Sequence, residues 1–110
     1  MSVSILVLTL NEEMNLPSCL TSVAWSDDIV VLDSYSTDKT CDIAKCFGAR
    51  VTQRVFDNWA SHQNWAMEHI AFKYEWVFYI DADERMTDSQ KDELLRIASD
   101  KTGAEVAYYC

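Results

Sequence analysis

Glycine and proline are scarce in this chain, with two glycines and one proline among 110 residues. That scarcity excludes a collagen-like or Pro/Gly-rich disordered polypeptide and leaves most turns to Asn, Asp and Ser. Cations are also few. Nine Lys and Arg stand against eighteen Asp and Glu, a formal charge of −9, and the nine are scattered. Such a balance argues against non-specific binding to nucleic acid or to an anionic membrane surface. No apolar run approaches the ~20 residues that a spanning helix needs. The run from Val3 to Leu10 has no basic segment before it and meets Asn11-Glu12-Glu13 where a cleavage site would need small residues, so it reads as a strand and not a signal peptide. The four cysteines, Cys19, Cys41, Cys46 and Cys110, form no CxxC pair and have no His-spaced partner. Neither a zinc site nor a redox motif is indicated, and they read as reduced thiols of a cytosolic protein.

What is present is ordinary globular material. Hydrophobic residues make up 49% and charged residues 25%, in a length that allows one domain, residues 1–110, and no second. Short apolar runs rich in β-branched residues read as strands: Val3 to Leu8, Ile29 to Leu32, Arg50 to Val55 and Trp76 to Ile80. Between them lie helical patterns. Leu16, Cys19, Leu20 and Val23 recur at i, i+3, i+4 and i+7, with Pro17 tolerated in the first turn. A second helix is expected from about Asp38 to Phe47, capped by Ser36 or Thr37 and stopped by Gly48. A third runs from about Ala60 to Ala71 through Ala66, Met67 and Ile70, and a fourth opens at a capping box formed by Thr87 and Gln90. Glu105 to Tyr109 begins a fifth strand. Strands alternating with helices imply an α/β fold with a mainly parallel sheet and flanking helices.

In such sheets ligands bind beyond the carboxyl ends of the strands. Three polar segments fall there: Thr9-Leu10-Asn11-Glu12, Asp33 to Asp38, and Asp81-Ala82-Asp83-Glu84. Parallel strands would bring all three to one rim. Two carboxylates about 4 Å apart repel by roughly 4 kcal/mol at an effective dielectric near 20, so the last segment needs a proton, donors or a cation. Oxygen ligands of this kind suit Mg2+ or Mn2+. Alternation along the strand lets Asp81 and Asp83 point one way while Ala82 points into the core. Asp33 is placed to accept hydrogen bonds from a base or a ribose; Asn11 and Glu12 either reach a ligand or cap the following helix. Asp38 reads as a first-turn helix charge. Asn64, and less so Gln63, are candidates for ligand contact on an otherwise apolar helix. His62 and His69, seven residues apart, are not an i, i+4 metal pair and read as surface or partly buried. Trp25, Trp59, Trp65 and Trp76 read as packing residues, one of which could stack on a base, and Cys41 and Cys46 read as filler on a helix face.

The residues of three blocks resemble the N-terminal half of family 2 glycosyltransferases, inverting enzymes with a Rossmann-like GT-A fold. The blocks are Ser4 to Glu13, Ile29 to Asp38 and Tyr79 to Arg85, in that order. The stretch Ala60-Ser61-His62-Gln63-Asn64-Trp65-Ala66 is similar to members that transfer a hexose in lipopolysaccharide core assembly. The resemblance implies a UDP-sugar donor and a glycan or lipid-linked glycan acceptor. It places Thr9, Asn11 and Glu12 in the nucleotide pocket, Asp33 on the uracil and Asn64 near the nucleotide or its diphosphate. Asp81-Ala82-Asp83 would be the DxD motif, with Asp83 on the metal and Asp81 nearer the ribose or sugar. It also implies work in the cytoplasm, at the inner face of a membrane. Where the family commonly has glycines after Asp33 this chain has Tyr35 and Lys39, so Tyr35 is expected to meet a positive φ. The family's general base lies beyond the matched blocks, which leaves the catalytic residue unassigned. Two other readings compete: a donor-binding module without turnover, associating through an unfinished sheet edge, and a phosphoacceptor receiver domain using Glu12-Glu13 and Asp33. The receiver reading lacks a lysine after the final strand.

Overall fold

The computed structural model describes residues 3–100 and 106–109. Five strands form one parallel sheet in the order β3-β2-β1-β4-β5, comprising β1 (Val3–Thr9), β2 (Ile29–Asp33), β3 (Arg50–Gln53), β4 (Trp76–Asp81) and β5 (Val106–Tyr109). The connecting helices are α1 (Leu16–Ser22), α2 (Thr40–Cys46), α3 (Trp59–His69) and α4 (Asp88–Asp100). The expected alternation of strands and helices is therefore found, with adjusted ends. β3 stops at Gln53 and does not extend to Val55. α2 starts at Thr40, because Asp33 takes both the backbone N–H and the hydroxyl of Ser36, while Asp38 receives the N–H of Thr40 at 2.9 Å. Asp38 thus stands outside the helix, before its N-cap residue Lys39, and holds the first helical N–H, where the sequence suggests a place inside the first turn.

Pleating divides the sheet's side chains between two cores. Val3, Ile5 and Val7 of β1, with Phe78 and Ile80 of β4, pack with Leu16, Cys19 and Leu20 of α1 and with Leu94 of α4. Leu6 and Leu8, with Val30, Leu32, Val77 and Tyr79, face Ala66 of α3, around which Trp65, Met67 and Ile70 close. Central strands apolar on both faces are what a sheet covered on both sides requires. The Thr87–Gln90 capping box is present: each residue's backbone N–H donates to the other's side chain, at 2.9 and 3.2 Å.

The chain runs outward from β1 through β2 to β3 and then crosses back over the other face, by way of α3, to β4. The gap between the carboxyl ends of β1 and β4 is therefore the point where strand order reverses, the usual crevice of such sheets. Register sets what meets there: Thr9 pairs with Asp33 and Leu8 with Asp81.

Candidate functional site

A cavity of about 310 Å³ opens at that point. Its floor is Leu8, Thr9 and Leu10 with Glu12 and Ser34; Asp81, Ala82 and Asp83 form one side, and Phe56, Trp59 and His62 the other. Three segments far apart in sequence are thus gathered on one rim, as parallel strands require.

The β1 and β2 loops are tied to each other. The N–H of Asn11 donates to Ser36 Oγ at 2.8 Å, and Asn11 Oδ1 accepts the N–H of Thr37 at 2.8 Å. The N–H of Glu12 reaches Thr40 Oγ1 at 2.9 Å, and that of Ser34 reaches the carbonyl of Thr9 at 2.9 Å. Asn11 holds φ 53°, a left-handed conformation Asn tolerates, and Tyr35 holds φ 61° with its ring half exposed. The expected departure from glycine is therefore real: an aromatic residue occupies a backbone region that costs roughly 1–2 kcal/mol for residues with a Cβ.

Asp33 organises these loops from beneath the cavity. It is wholly buried, accepting Thr9 Oγ1 at 2.6 Å, Ser36 Oγ at 2.5 Å, the Ser36 N–H at 2.8 Å and Gln53 Nε2 at 3.3 Å. Burial pushes its carboxyl up, but the Ser36 and Thr9 hydroxyls, the Ser36 amide and Gln53 outweigh it and hold the group below the usual range. A base N–H could enter here only by displacing the long Gln53 contact.

The acidic side has the opposite electrostatics. Burial, with the charges of Glu84, Asp83 and Glu12, pushes the Asp81 carboxyl upward. Its backbone N–H is held by Glu84 Oε1 at 3.1 Å, and its carbonyl closes a turn with the Glu84 N–H at 2.9 Å, presenting Asp83 at the exposed tip. Ala82 is buried in the core, as the alternation implies. Among the described residues no three His, Cys, Asp or Glu side chains form a closed cation cage. The donor set is nonetheless the one that hard divalent cations use when a phosphate supplies the remaining oxygens.

Thr9, Glu12, Asp81 and Asp83 therefore line the cavity, Asp33 lies under it, and Asn11 is exposed beside it, stitching the loops. Asn64 does not join them. On α3 the buried stripe runs through His62 and Ala66, and Asn64, two residues from each, is turned about 200° away toward solvent.

Three residues on the cavity wall fell outside the expected site. His62 is 1% exposed, fully buried where a surface or partly buried histidine is expected, and its Nδ1 lies 3.0 Å from Arg54 Nη1. Burial first, then the Arg54 charge, hold its pKa below the ordinary value, against an opposing pull from Asp57. Trp59 opens α3 and is 51% exposed, not core; Phe56 sits edge-on to it at 5.2 Å and to His62 at 5.3 Å. The available signal was the i, i+4 spacing of His62 and Ala66, which puts the histidine on the helix's buried side. The remaining expectations hold more closely: His69 is exposed, Trp76 is buried, and Trp65 packs against the core.

Comparison with known proteins follows the same lines. The family model described as Glycosyl transferase family 2 matches residues 4–109. The SPbeta prophage-derived glycosyltransferase SunS of Bacillus subtilis is 34% identical over 96 residues, covering 84% of this chain and 22% of its own length. The lipopolysaccharide core biosynthesis glycosyltransferase LpsC of Rhizobium meliloti is 30% identical over 112 residues, covering 94% of this chain and 41% of its own length. The chain thus spans well under half of these relatives. Among solved structures, S. aureus TarS in complex with UDP-GlcNAc superposes with a TM-score of 0.74 at 23% identity, over 91% of this chain and 32% of that one, a likeness of fold. Glucosyl-3-phosphoglycerate synthase from Mycobacterium tuberculosis, in complex with Mn2+, UDP-glucose and phosphoglyceric acid, gives a TM-score of 0.63 at 25% identity, over 76% of this chain and 35% of that one. A family model fitting almost every residue, with relatives at or above 30% identity along most of the chain, places this protein in glycosyl transferase family 2.

Proposed function

We propose that this chain carries the donor-binding part of a glycosyltransferase that uses a UDP-hexose. One observation carries the reading: strand register and loop stitching deliver Glu12, Asp81 and Asp83 into a single cavity at the strand-order reversal. An acidic cavity is a poor host for a diphosphate unless a cation intervenes, since carboxylates and phosphates repel. Asp83 would hold Mg2+ or Mn2+, and Asp81 would lie nearer the ribose or sugar. When bound, the cation offsets the charge that collects on the leaving diphosphate. Thr9, Asn11 and Glu12 shape the nucleotide side, and Asp33 offers a uracil N–H the acceptor position now used by Gln53. Asn64 reaches the diphosphate only if another segment turns the ligand toward the outer face of α3.

The acceptor is a glycan or lipid-linked glycan hydroxyl that attacks from the opposite face of the sugar, with inversion; the name of LpsC supports a lipopolysaccharide-type acceptor. A lipid-linked acceptor would place the work in the cytoplasm at the inner face of a membrane. No helix among the described residues is long and apolar enough to cross that membrane. Donor binding is the part of the reaction these residues can hold, and a chain confined to it would bind without turnover. Titration calorimetry with UDP, with and without manganese, tests the reading. Binding should require manganese and should fall at least tenfold in Asp83→Ala. Metal-independent binding, or an Asp83→Ala variant that binds like the parent, would refute the assignment.

A further inference from the structure

The cation and nucleotide contacts leave the aromatic part of the cavity wall free for the rest of the donor. Phe56, Trp59 and His62 form that part as one aromatic unit, with Phe56 edge-on to both neighbours. Arg54 fixes the chemistry of His62. A guanidinium has donors only, so its 3.0 Å contact with Nδ1 requires the lone pair there, and the neutral ring then carries its proton on Nε2. Arg54 is itself anchored by Asp57, at 2.9 and 3.1 Å, and burial disfavours a second cation on the imidazole. With Nδ1 taken, the Nε2–H is the polar group the ring can offer a ligand.

Beside the hydroxyls of Thr9 and Ser34, the polar lining is then one neutral ring N–H donor and the carboxylate acceptors Glu12, Asp81 and Asp83, with aromatic faces and no Lys or Arg. That set suits an uncharged polyol. Sugar C–H faces pack on aromatic rings, hydroxyl protons go to carboxylates, and a hydroxyl oxygen takes the ring N–H. A carboxylate on the sugar would meet the like charge of Glu12 and Asp81 with no Lys or Arg in the lining to answer it, the cation at Asp83 being already engaged by the diphosphate.

We infer that Phe56, Trp59 and His62 form the seat of the donor's hexose ring, with His62 donating through Nε2–H to a sugar hydroxyl, and that this seat selects an uncharged hexose over a hexuronic acid. The inference rests on the nucleotide-sugar reading of the cavity. Calorimetry with UDP, UDP-glucose and UDP-glucuronate, each with manganese, tests it on the parent chain and on His62→Phe, His62→Gln and Trp59→Ala. UDP-glucose should bind roughly tenfold tighter than UDP, the worth of one good contact, and at least as much tighter than UDP-glucuronate. His62→Phe, which keeps a ring but loses the donor, and Trp59→Ala should each abolish the gain from the sugar while leaving UDP binding in place; His62→Gln should restore part of it. Should His62→Phe fail to fold, the exposed Trp59 still decides the question. UDP binding with no gain from glucose, a gain that survives both substitutions, or equal affinity for UDP-glucuronate would overturn the inference alone. Absence of UDP binding would overturn both it and the reading beneath it.

Discussion

Asp28 lies at the amino end of β2, the opposite end of the sheet from the cavity, and its replacement by alanine should be among the most damaging single changes in the protein. Its carboxylate is buried and accepts Ser4 Oγ at 2.6 Å, the Lys73 N–H at 2.7 Å and Arg50 Nη2 at 2.7 Å. Ser4, also buried, passes the link on by accepting the Tyr74 N–H at 3.2 Å. One side chain thus joins the starts of β1, β2 and β3 to the loop before β4. Arg50 is half exposed, so its ion pair alone is worth under about 1 kcal/mol. The other two bonds differ: the Ser4 hydroxyl is buried and the Lys73 N–H partly so, and a buried donor left without an acceptor costs about 1–3 kcal/mol. Asp28→Ala should therefore cost about 2–4 kcal/mol, the sum of the two donors it leaves without an acceptor and the small loss at Arg50. Asp28→Asn should cost less, about 1–2 kcal/mol, since one amide oxygen can still serve Ser4 and Lys73 while the amide nitrogen faces Arg50. Arg50→Ala should cost least. Urea unfolding followed by tryptophan fluorescence gives all three values. Burial pushes the Asp28 carboxyl up, but Ser4, the Lys73 amide and Arg50 together bring it below the ordinary range. Its contribution is therefore complete above the unfolded-state pKa of about 3.9 and is lost as pH falls through the lower folded value. If Arg50→Ala proves as costly as Asp28→Ala, or Asp28→Ala costs under about 1 kcal/mol, the argument from buried donors is wrong.

At Tyr35, Asn should raise stability by up to about 1 kcal/mol and Val should lower it by a similar amount, because the left-handed backbone there tolerates Asn and penalises branching; thermal melts of the two variants against the parent give the sign. Among the thiols of Cys19, Cys41 and Cys46, only exposed Cys46 should react promptly with a disulfide reagent at pH 8. Burial, then the Glu84 charge, push Cys19 up to about 12, and burial, then Asp33, push Cys41 up to about 11. Peptide mapping after timed labelling reads the order, and fast labelling of Cys19 in folded protein would contradict its placement. Because His62 has a lowered folded pKa, its contribution to stability is complete above the unfolded value of about 6.5 and is lost as pH falls through the folded one. The parent should therefore lose more stability between pH 7 and pH 5 than His62→Gln does, as measured by urea midpoints.

The architecture was legible because β1, β2 and β4 are apolar on both faces, a pattern that only a doubly covered sheet explains. The acidic side of the cavity was legible for a related reason: Asp81 and Asp83 adjoin so plain a strand that their place at its end follows directly. The aromatic side was hidden. Phe56 follows Val55 in a run that continues the β3 pattern, and β3 ends at Gln53, where its pairing partner β2 has run out at Asp33. The burial of His62 follows from its i, i+4 spacing to Ala66, but its pairing with Arg54, eight residues earlier, is a contact no periodicity announces. Asn64 shows the complementary case: the family resemblance supplies a ligand role, while the helical turn fixed by His62 and Ala66 directs its side chain outward from the cavity.

The bonds between Asn11 and the Ser36-Thr37 pair bear on how ligand preference could be altered. Because each loop supplies the other's hydrogen-bond partners, neither can be varied as an independent cassette. A library that randomises residues 34–37 alone would fill with members whose first loop has lost its anchors, whatever their fit to a new substrate. Co-varying position 11 with 36 and 37 is the smallest search that keeps the scaffold intact.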